Sequence, residues 1–360
     1  MLFNPARLSF ARKLRGLTKR KLAHSTGLNE RTISVHESGA EPPEHGSILL
    51  YADALKFPQA FFFGDTIDEI PENAVSFRSL SKMTLTKRDM SLSEGSIAVK
   101  INEWFEAHFK LPSLDLPDLG SGFEMFDDAP EIVAESLRSY WGLGTRPIKN
   151  ILHLVESKGI KVYSLSEAPK DADGFSFWYN NETPFILYDY SARSAERCRF
   201  DIAHELGHLL LHRKEPLKNK NSRFMEREAD TFASAFLMPS KAVKTTAPQT
   251  ITWQNLLVYK QYWNVSMKAI VYKLYKLGRI SDWTNRSFNI KANQYGYKNE
   301  PNPSPHEIPQ IISKALDALA KEGRTMADFA KELDLHSDDL ASYLFGLKIQ
   351  NKRPTLTLVK

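Results

Sequence analysis

The sequence has one cysteine in 360 residues, no long apolar run and little net charge. The single thiol, Cys198, excludes an intramolecular disulfide framework and a four-thiolate zinc site, and it fits a reducing compartment. No apolar stretch reaches the ~18 residues of a membrane span. The first seventeen residues are basic but have no apolar core behind them, unlike a secretory signal. The expectation is a cytoplasmic protein with no membrane partner. A net charge of +5, from 48 Lys and Arg against 43 Asp and Glu, indicates no partner by itself. The 42% hydrophobic and 25% charged residues are those of an ordinary soluble chain. The length predicts two or three domains, each able to bury a core without staples.

The distribution of charge says more. Seven basic residues (Arg7, Arg12, Lys13, Arg15, Lys19, Arg20 and Lys21) precede the first acid, Glu30, whereas residues 301–360 carry eight basic and eight acidic residues. A basic block at one end of a nearly neutral chain points to a polyanion partner or to a solvated helix face.

Helical spacing and caps predict short helices over 7–14, 18–26 and 29–38, with Thr18 and Asn29 as N-caps and Gly27 and Gly39 as stops. An apolar cluster at 55–63 closes this unit. Residues 94–109 carry apolar side chains at helical spacing, and 111–130 read as a loop. Helices are expected over 130–141 and 147–158, strands over 160–165, 174–179 and 184–190, and a hairpin turn at Asn180-Asn181. A long helix over 192–212 and another over 225–238 follow, then three more helical stretches to Arg279. Residues 288–305 are rich in Asn and Pro and read as a linker. The final helical region resembles the first: Thr325, Phe329, Ala330, Leu335, Leu340 and Gly346 match Thr18, Leu22, Ala23, Leu28, Ile33 and Gly39 at a constant offset of 307, a weak internal repeat.

The helices over 18–26 and 29–38 have the dimensions of a helix-turn-helix. Leu22, Ala23, Leu28 and Ile33 would form the core between them, and Gly27 would take positive φ at the turn. The second helix would present Asn29, Arg31, Thr32 and Ser34 to base edges, while Lys19 and Arg20 meet phosphates. The Thr18, Leu22-Ala23, Gly27-Leu28, Thr32-Ile33-Ser34, Glu37, Gly39 and Pro42 positions resemble the XRE family of phage-repressor-type helix-turn-helix domains. His36 departs from the Trp or Tyr that many members carry. A helical protein-interaction module is the alternative. The C-terminal counterpart carries Asp338 and Asp339, which repel phosphates, and is expected to serve interaction, dimerisation or packing.

A second constellation lies in the long helix. In His204-Glu205-Leu206-Gly207-His208, the two His sit at i and i+4, on one helix face, where two imidazoles can hold one ion. Glu205 is offset by ~100° and can reach a water bound to that ion. Two neutral His, one carboxylate and an open position suit zinc. The carboxylate is expected further on, in Glu226-Arg227-Glu228-Ala229-Asp230. Glu226 is the favoured ligand, with Asp230 on the same face to hold a zinc-bound His by its other nitrogen. Glu228 stays open as the ligand, and His212, next in the i+4 series, as a bystander or substrate contact.

The run H-E-L-G-H-L-L-L-H followed by E-x-E-A-D-x-F-A-x-x-F-L-M-P resembles the ImmA/IrrE family of gluzincin-like metallopeptidases over about residues 130–239, with Asp230 where many relatives have Asn. The resemblance implies a Zn2+-dependent, site-specific endopeptidase, often one that cuts a repressor, and some members carry an XRE domain in the same chain. The expected fold is α+β, mainly α. An N-terminal five-helix, lambda-repressor-like unit spans 1–66 and a helical connector 67–129. A metallopeptidase domain with a small β-sheet spans 130–285, a linker 286–307, and a small helical domain 308–360. The expected function is a DNA-binding transcriptional regulator whose peptidase cleaves a repressor, another partner or itself on a signal. The alternative is a non-catalytic, antitoxin-like repressor that uses the metallopeptidase fold as a sensor. Expected partners are duplex DNA and a protein substrate, with a homodimer as a further option. In the expected chemistry Glu205 takes a proton from water and passes it to the leaving amine, and the strand at 184–190 serves as an edge for an extended peptide. No Tyr or His can be assigned from sequence as an oxyanion donor.

Overall fold

The computed structural model describes residues 2–71, 84–117, 130–166, 174–190, 193–213, 222–295 and 299–350. Within them the chain is mainly helical around one small three-stranded sheet. No helix there is long and apolar enough to cross a membrane.

Four helices and a 3₁₀ turn build the N-terminal unit: α1 (Pro5–Leu14), α2 (Lys19–Thr26), α3 (Glu30–Ser38), α4 (His45–Leu55) and the turn Gln59–Phe63. Thr18 and Asn29 accept backbone N–H bonds as N-caps, and Gly27 and Gly39 take left-handed conformations at φ 74° and 75°. Leu22 and Ile33 are fully buried and Ala23 nearly so. Helix α4 fills a stretch to which the sequence reading assigns no element, and the 3₁₀ turn falls in the apolar cluster expected over 55–63. His36 is buried, its Nδ1 2.7 Å from the Tyr51 hydroxyl, so a polar contact fills the expected aromatic position.

The basic block is largely neutralised. Arg12 pairs with Glu37 at 2.6 Å and Lys13 with Glu69 at 2.7 Å. Arg15 meets Asp339 at 2.6 Å and Arg7 meets Asp334 at 3.9 Å. Lys19 lies 3.6 Å from Glu37. The charge excess that pointed to a polyanion is therefore mostly internal structure.

Helix α5 (Leu85–His108) begins about two and a half turns before its apolar spacing predicts, and it is buried on nearly all sides between Ser91 and Phe105. That pattern belongs to a helix inside the protein. It packs on α1 and, through Trp104 against Phe329 at 4.1 Å, on the C-terminal region. Helices α6 (Pro130–Tyr140) and α7 (Ile151–Ser157) follow. The loop expected over 111–130 lies mostly outside the described residues.

Strands β1 (Lys161–Ser164), β2 (Gly174–Tyr179) and β3 (Thr183–Tyr188) run in the order β1-β3-β2. β1 is parallel to β3, and β2 antiparallel to it. The hairpin turns at Asn180 and Asn181, both at positive φ, 51° and 59°. The strand expected to be an edge is thus the central one. Its unbroken buried run, Pro184 to Tyr188, is the mark of a strand paired on both sides. The edge next to the motif helix is β2.

Helices α8 (Ala195–Leu211), α9 (Ser222–Leu237), α10 (Ser240–Thr246), α11 (Trp253–Trp263), α12 (Met267–Lys276) and α13 (Asp282–Asn293) complete the central part. The linker expected over 286–307 begins inside α13. Residues 300–307 are pinned rather than loose: buried Lys260 donates to the carbonyls of Pro301 and Asn302, and Glu307 accepts from Arg199 and the Leu152 N–H.

The last three helices, α14 (Gln310–Lys321), α15 (Met326–Glu332) and α16 (Ser337–Tyr343), repeat α1–α3 at the offset of 307. Thr325 caps α15 as Thr18 caps α2. The left-handed positions Gly16, Gly27 and Gly39 recur at Gly323, Asp334 and Gly346. The second copy faces inward, however. Phe345 packs on Tyr188 and Tyr190 at 5.6 and 5.3 Å, while Asp334 and Asp339 meet the first copy's arginines.

Candidate metal centre

Helix α8 is N-capped by Ser194, whose side chain accepts the Arg197 N–H, and C-capped by His212. Its apolar face packs on α9, and Gly207 permits the approach. A Cβ there would stand 3.0 Å from a Phe232 ring carbon and 3.3 Å from the Ala229 Cα. The helix carrying two imidazoles thereby lies against the helix carrying the carboxylates.

The Nε2 atoms of His204 and His208 converge to 3.0 Å. Glu226 places one oxygen 3.5 Å from His204 Nε2 and the other 3.4 Å from His208 Nε2. One ligand atom from each residue lies within 4.8 Å of the others. Two imidazole nitrogens and one carboxylate oxygen directed at one point form a donor set that fits zinc.

The electrostatics match this convergence. Burial pushes the Glu226 carboxyl up, but hydrogen bonds to His204 and His208 outweigh it and hold the group well below the usual range. Burial lowers His204, yet hydrogen bonds to Asp230 and Glu226, with the Glu205 charge, push it up to about 10. The carboxylates thus create a strongly cation-favouring point.

Each imidazole is held from behind. His204 Nδ1 lies 2.9 Å from Asp230 Oδ1. His208 Nδ1 lies 2.9 Å from His212 Nδ1, and His212 Nε2 lies 3.1 Å from Glu228 Oε2. If His208 ligates through Nε2, its Nδ1–H donates to His212, whose Nε2–H donates to Glu228. The structure thus separates two residues left open by sequence: Glu228 reaches His212, and His212 backs His208. Residues 226, 228 and 230 each hold a different part of the cluster.

Glu205 is buried against β2. Ser176 donates its hydroxyl to Glu205 Oε2 at 2.7 Å and to the Glu205 carbonyl at 3.2 Å. Trp178 Nε1 donates to the Leu209 carbonyl at 3.1 Å, a second tie between β2 and α8. Ser176 was not singled out from sequence. The available signal was a hydroxyl placed between Phe175 and Phe177 in a strand with both faces buried.

Residues 155–275 match the family model of the IrrE N-terminal-like domain, peptidase M78. A comparison with curated proteins gives no match. The IrrE-like span begins within α7, runs through the sheet, α8 and α9, and ends in α12, so it contains the whole metal-ligand cluster but not the N-terminal unit. Cys198, although near the motif, is buried with its sulfur 4.0 Å from His306 Nδ1, and burial pushes its thiol up to about 12.

The residues expected to read DNA lie on α2 and α3 and are partly engaged in holding them. Asn29 accepts from the Thr32 backbone and hydroxyl at 2.7 and 2.9 Å, and Lys19 donates to Ser34 at 3.3 Å. Arg20 and Arg31 are exposed.

Proposed function

We propose that the chain is a zinc-dependent endopeptidase joined to a DNA-reading unit, a regulator that cuts a repressor, another partner or itself. The observation that carries the enzymatic reading is the convergence of His204, His208 and Glu226 beside a buried Glu205. The match to a peptidase family over the same residues supports it.

His204, His208 and Glu226 would hold the ion, which, when bound, supplies a Lewis acid that brings the pKa of a coordinated water toward ~7. Glu205 would accept a proton and return it to the leaving amine, with the Ser176 hydroxyl fixing one of its oxygens. Asp230 and the His212–Glu228 pair would hold the imidazoles in the ligating tautomer. An extended peptide would lie along β2, the edge strand next to α8.

In the N-terminal unit, Arg20 and Arg31 would carry contacts to duplex DNA, with Lys19, Asn29, Thr32 and Ser34 around them. The inward-facing C-terminal copy would serve packing.

Metal analysis of purified protein, joined to a cleavage screen against proteins encoded beside it, tests this function. About one zinc per chain is expected in the wild type and in Glu205→Gln, with cleavage lost in Glu205→Gln. Stoichiometric zinc in His204→Ala would reject the site as drawn. A mobility shift on the chain's own promoter, lost in Arg20→Ala/Arg31→Ala, tests the DNA reading separately.

A further inference from the structure

A second basic stretch lies outside the N-terminal unit. Residues 231–295 contain nine Lys and Arg but a single acid, Asp282, while the rest of the chain has 39 basic against 42 acidic residues. Of these cations, Lys260 and Lys273 are buried. Lys268, Lys276, Arg279, Arg286 and Lys291 are exposed on or between α12 and α13. Asp282 is bonded by the Tyr275 hydroxyl and sits near Arg286.

Large aromatic groups are exposed among these cations. Trp283 is 77% exposed and Tyr272 is 53% exposed. Lys268, Tyr272 and Lys276 stand at i, i+4 and i+8, one row along α12, with the Lys276 ammonium 5.5 Å from the Tyr272 ring. Trp283, Arg286 and Ile290, at i, i+3 and i+7, share a face of α13, and α12 packs on α13.

Cations alone would suit any polyanion. Flat aromatic faces left in water between them suit a polyanion that also offers exposed π-faces. A duplex keeps its base faces stacked inside, so Trp283 and Tyr272 would have nothing to stack on. A single strand presents both phosphates and bases.

We propose that α12 and α13 form a binding platform for single-stranded nucleic acid, with Tyr272 and Trp283 stacking on bases and the surrounding Lys and Arg meeting phosphates. The platform uses neither the metal ligands nor the proposed duplex contacts of the N-terminal unit.

The test is fluorescence anisotropy of a labelled twenty-nucleotide oligothymidylate with the full chain, beside a duplex of equal length. Binding is expected to weaken steeply with salt, by ~0.7 in log–log slope per phosphate contact. Trp283→Ala and Tyr272→Ala should each weaken oligothymidylate binding by ~5–150-fold, with zinc content and circular dichroism unchanged. Lys268→Glu/Lys276→Glu should weaken it further and flatten the salt slope by ~1.4. Arg20→Ala/Arg31→Ala should leave it intact. Loss of oligothymidylate binding in that N-terminal variant, with none in Trp283→Ala, would overturn the platform. So would absence of binding at 50 mM salt, an outcome that favours an acidic protein on this face, or duplex binding that depends on Trp283 as strongly as the single strand does.

Discussion

Ser176 donates its hydroxyl to Glu205 Oε2 across 2.7 Å, tying the edge strand β2 to the motif helix α8. Both residues are buried, so removing the hydroxyl leaves an acceptor short of a partner at a cost of ~1–3 kcal/mol. Ser176→Ala is expected to keep stoichiometric zinc and KM while kcat falls on the order of tenfold. Steady-state kinetics beside metal analysis check this. Loss of zinc with the hydroxyl would instead show that the bond holds the helix in place rather than orienting Glu205.

The His208–His212–Glu228 chain predicts a metal phenotype at two residues that are not ligands. His212→Ala and Glu228→Gln should each weaken zinc binding by ~10–100-fold, the usual consequence of losing a partner behind a ligand. Competition with a fluorescent chelator measures it. Glu226→Gln should lose stoichiometric zinc altogether, which separates the two glutamates directly.

At Gly207 a methyl group would press on the Ala229 backbone, which cannot swing aside as a side-chain end can. Gly207→Ala is expected to part α8 from α9, costing ~1–3 kcal/mol and lowering zinc affinity. Thermal unfolding with and without added zinc reads both effects.

The motif was legible because a helix converts i, i+4 spacing into a shared face. His204 with His208 and Glu226 with Asp230 follow from that single rule. What sequence could not show was contact between elements. Ser176 finds Glu205 only after β2 docks on α8, and Glu228 finds His212 only once α9 lies alongside. Strand order is likewise hidden, because hydrophobic alternation does not say which neighbours pair, so β3 reads as an edge in sequence. The pairing of the N-terminal cations is hidden for a related reason, since two of their acidic partners, Asp334 and Asp339, lie more than three hundred positions away. The C-terminal two thirds of α13 reads as linker because its surface position leaves it polar and rich in Asn.

A pH prediction follows from Glu156, which accepts the N–H groups of Gln310 and Ile311 at the start of α14. Burial raises its carboxyl to about 7 against these bonds and the Lys314 charge, from an ordinary value of 4.5. Between those values the folded state binds more protons than the unfolded one. Its contribution to stability is therefore full below about 4.5, and is lost as pH rises through about 7. Relative to wild type, Glu156→Gln should gain on the order of 3 kcal/mol from pH 4.5 to pH 8. Urea unfolding of both proteins across that range checks the sign, because other titrating groups cancel in the difference.

The bridge between Arg15 and Asp339 spans 324 positions. At roughly 5–20 residues per second of synthesis, about 16–65 s separate the appearance of the two side chains. For about the last third of that interval the ligand-bearing helices, complete by Leu237, are already made, whereas Arg7 and Arg15 still lack the acids that will meet them. A ribosome-bound chain thus offers a more cationic N-terminal unit than the finished protein, and becomes itself only when its last helices turn back to close over the first.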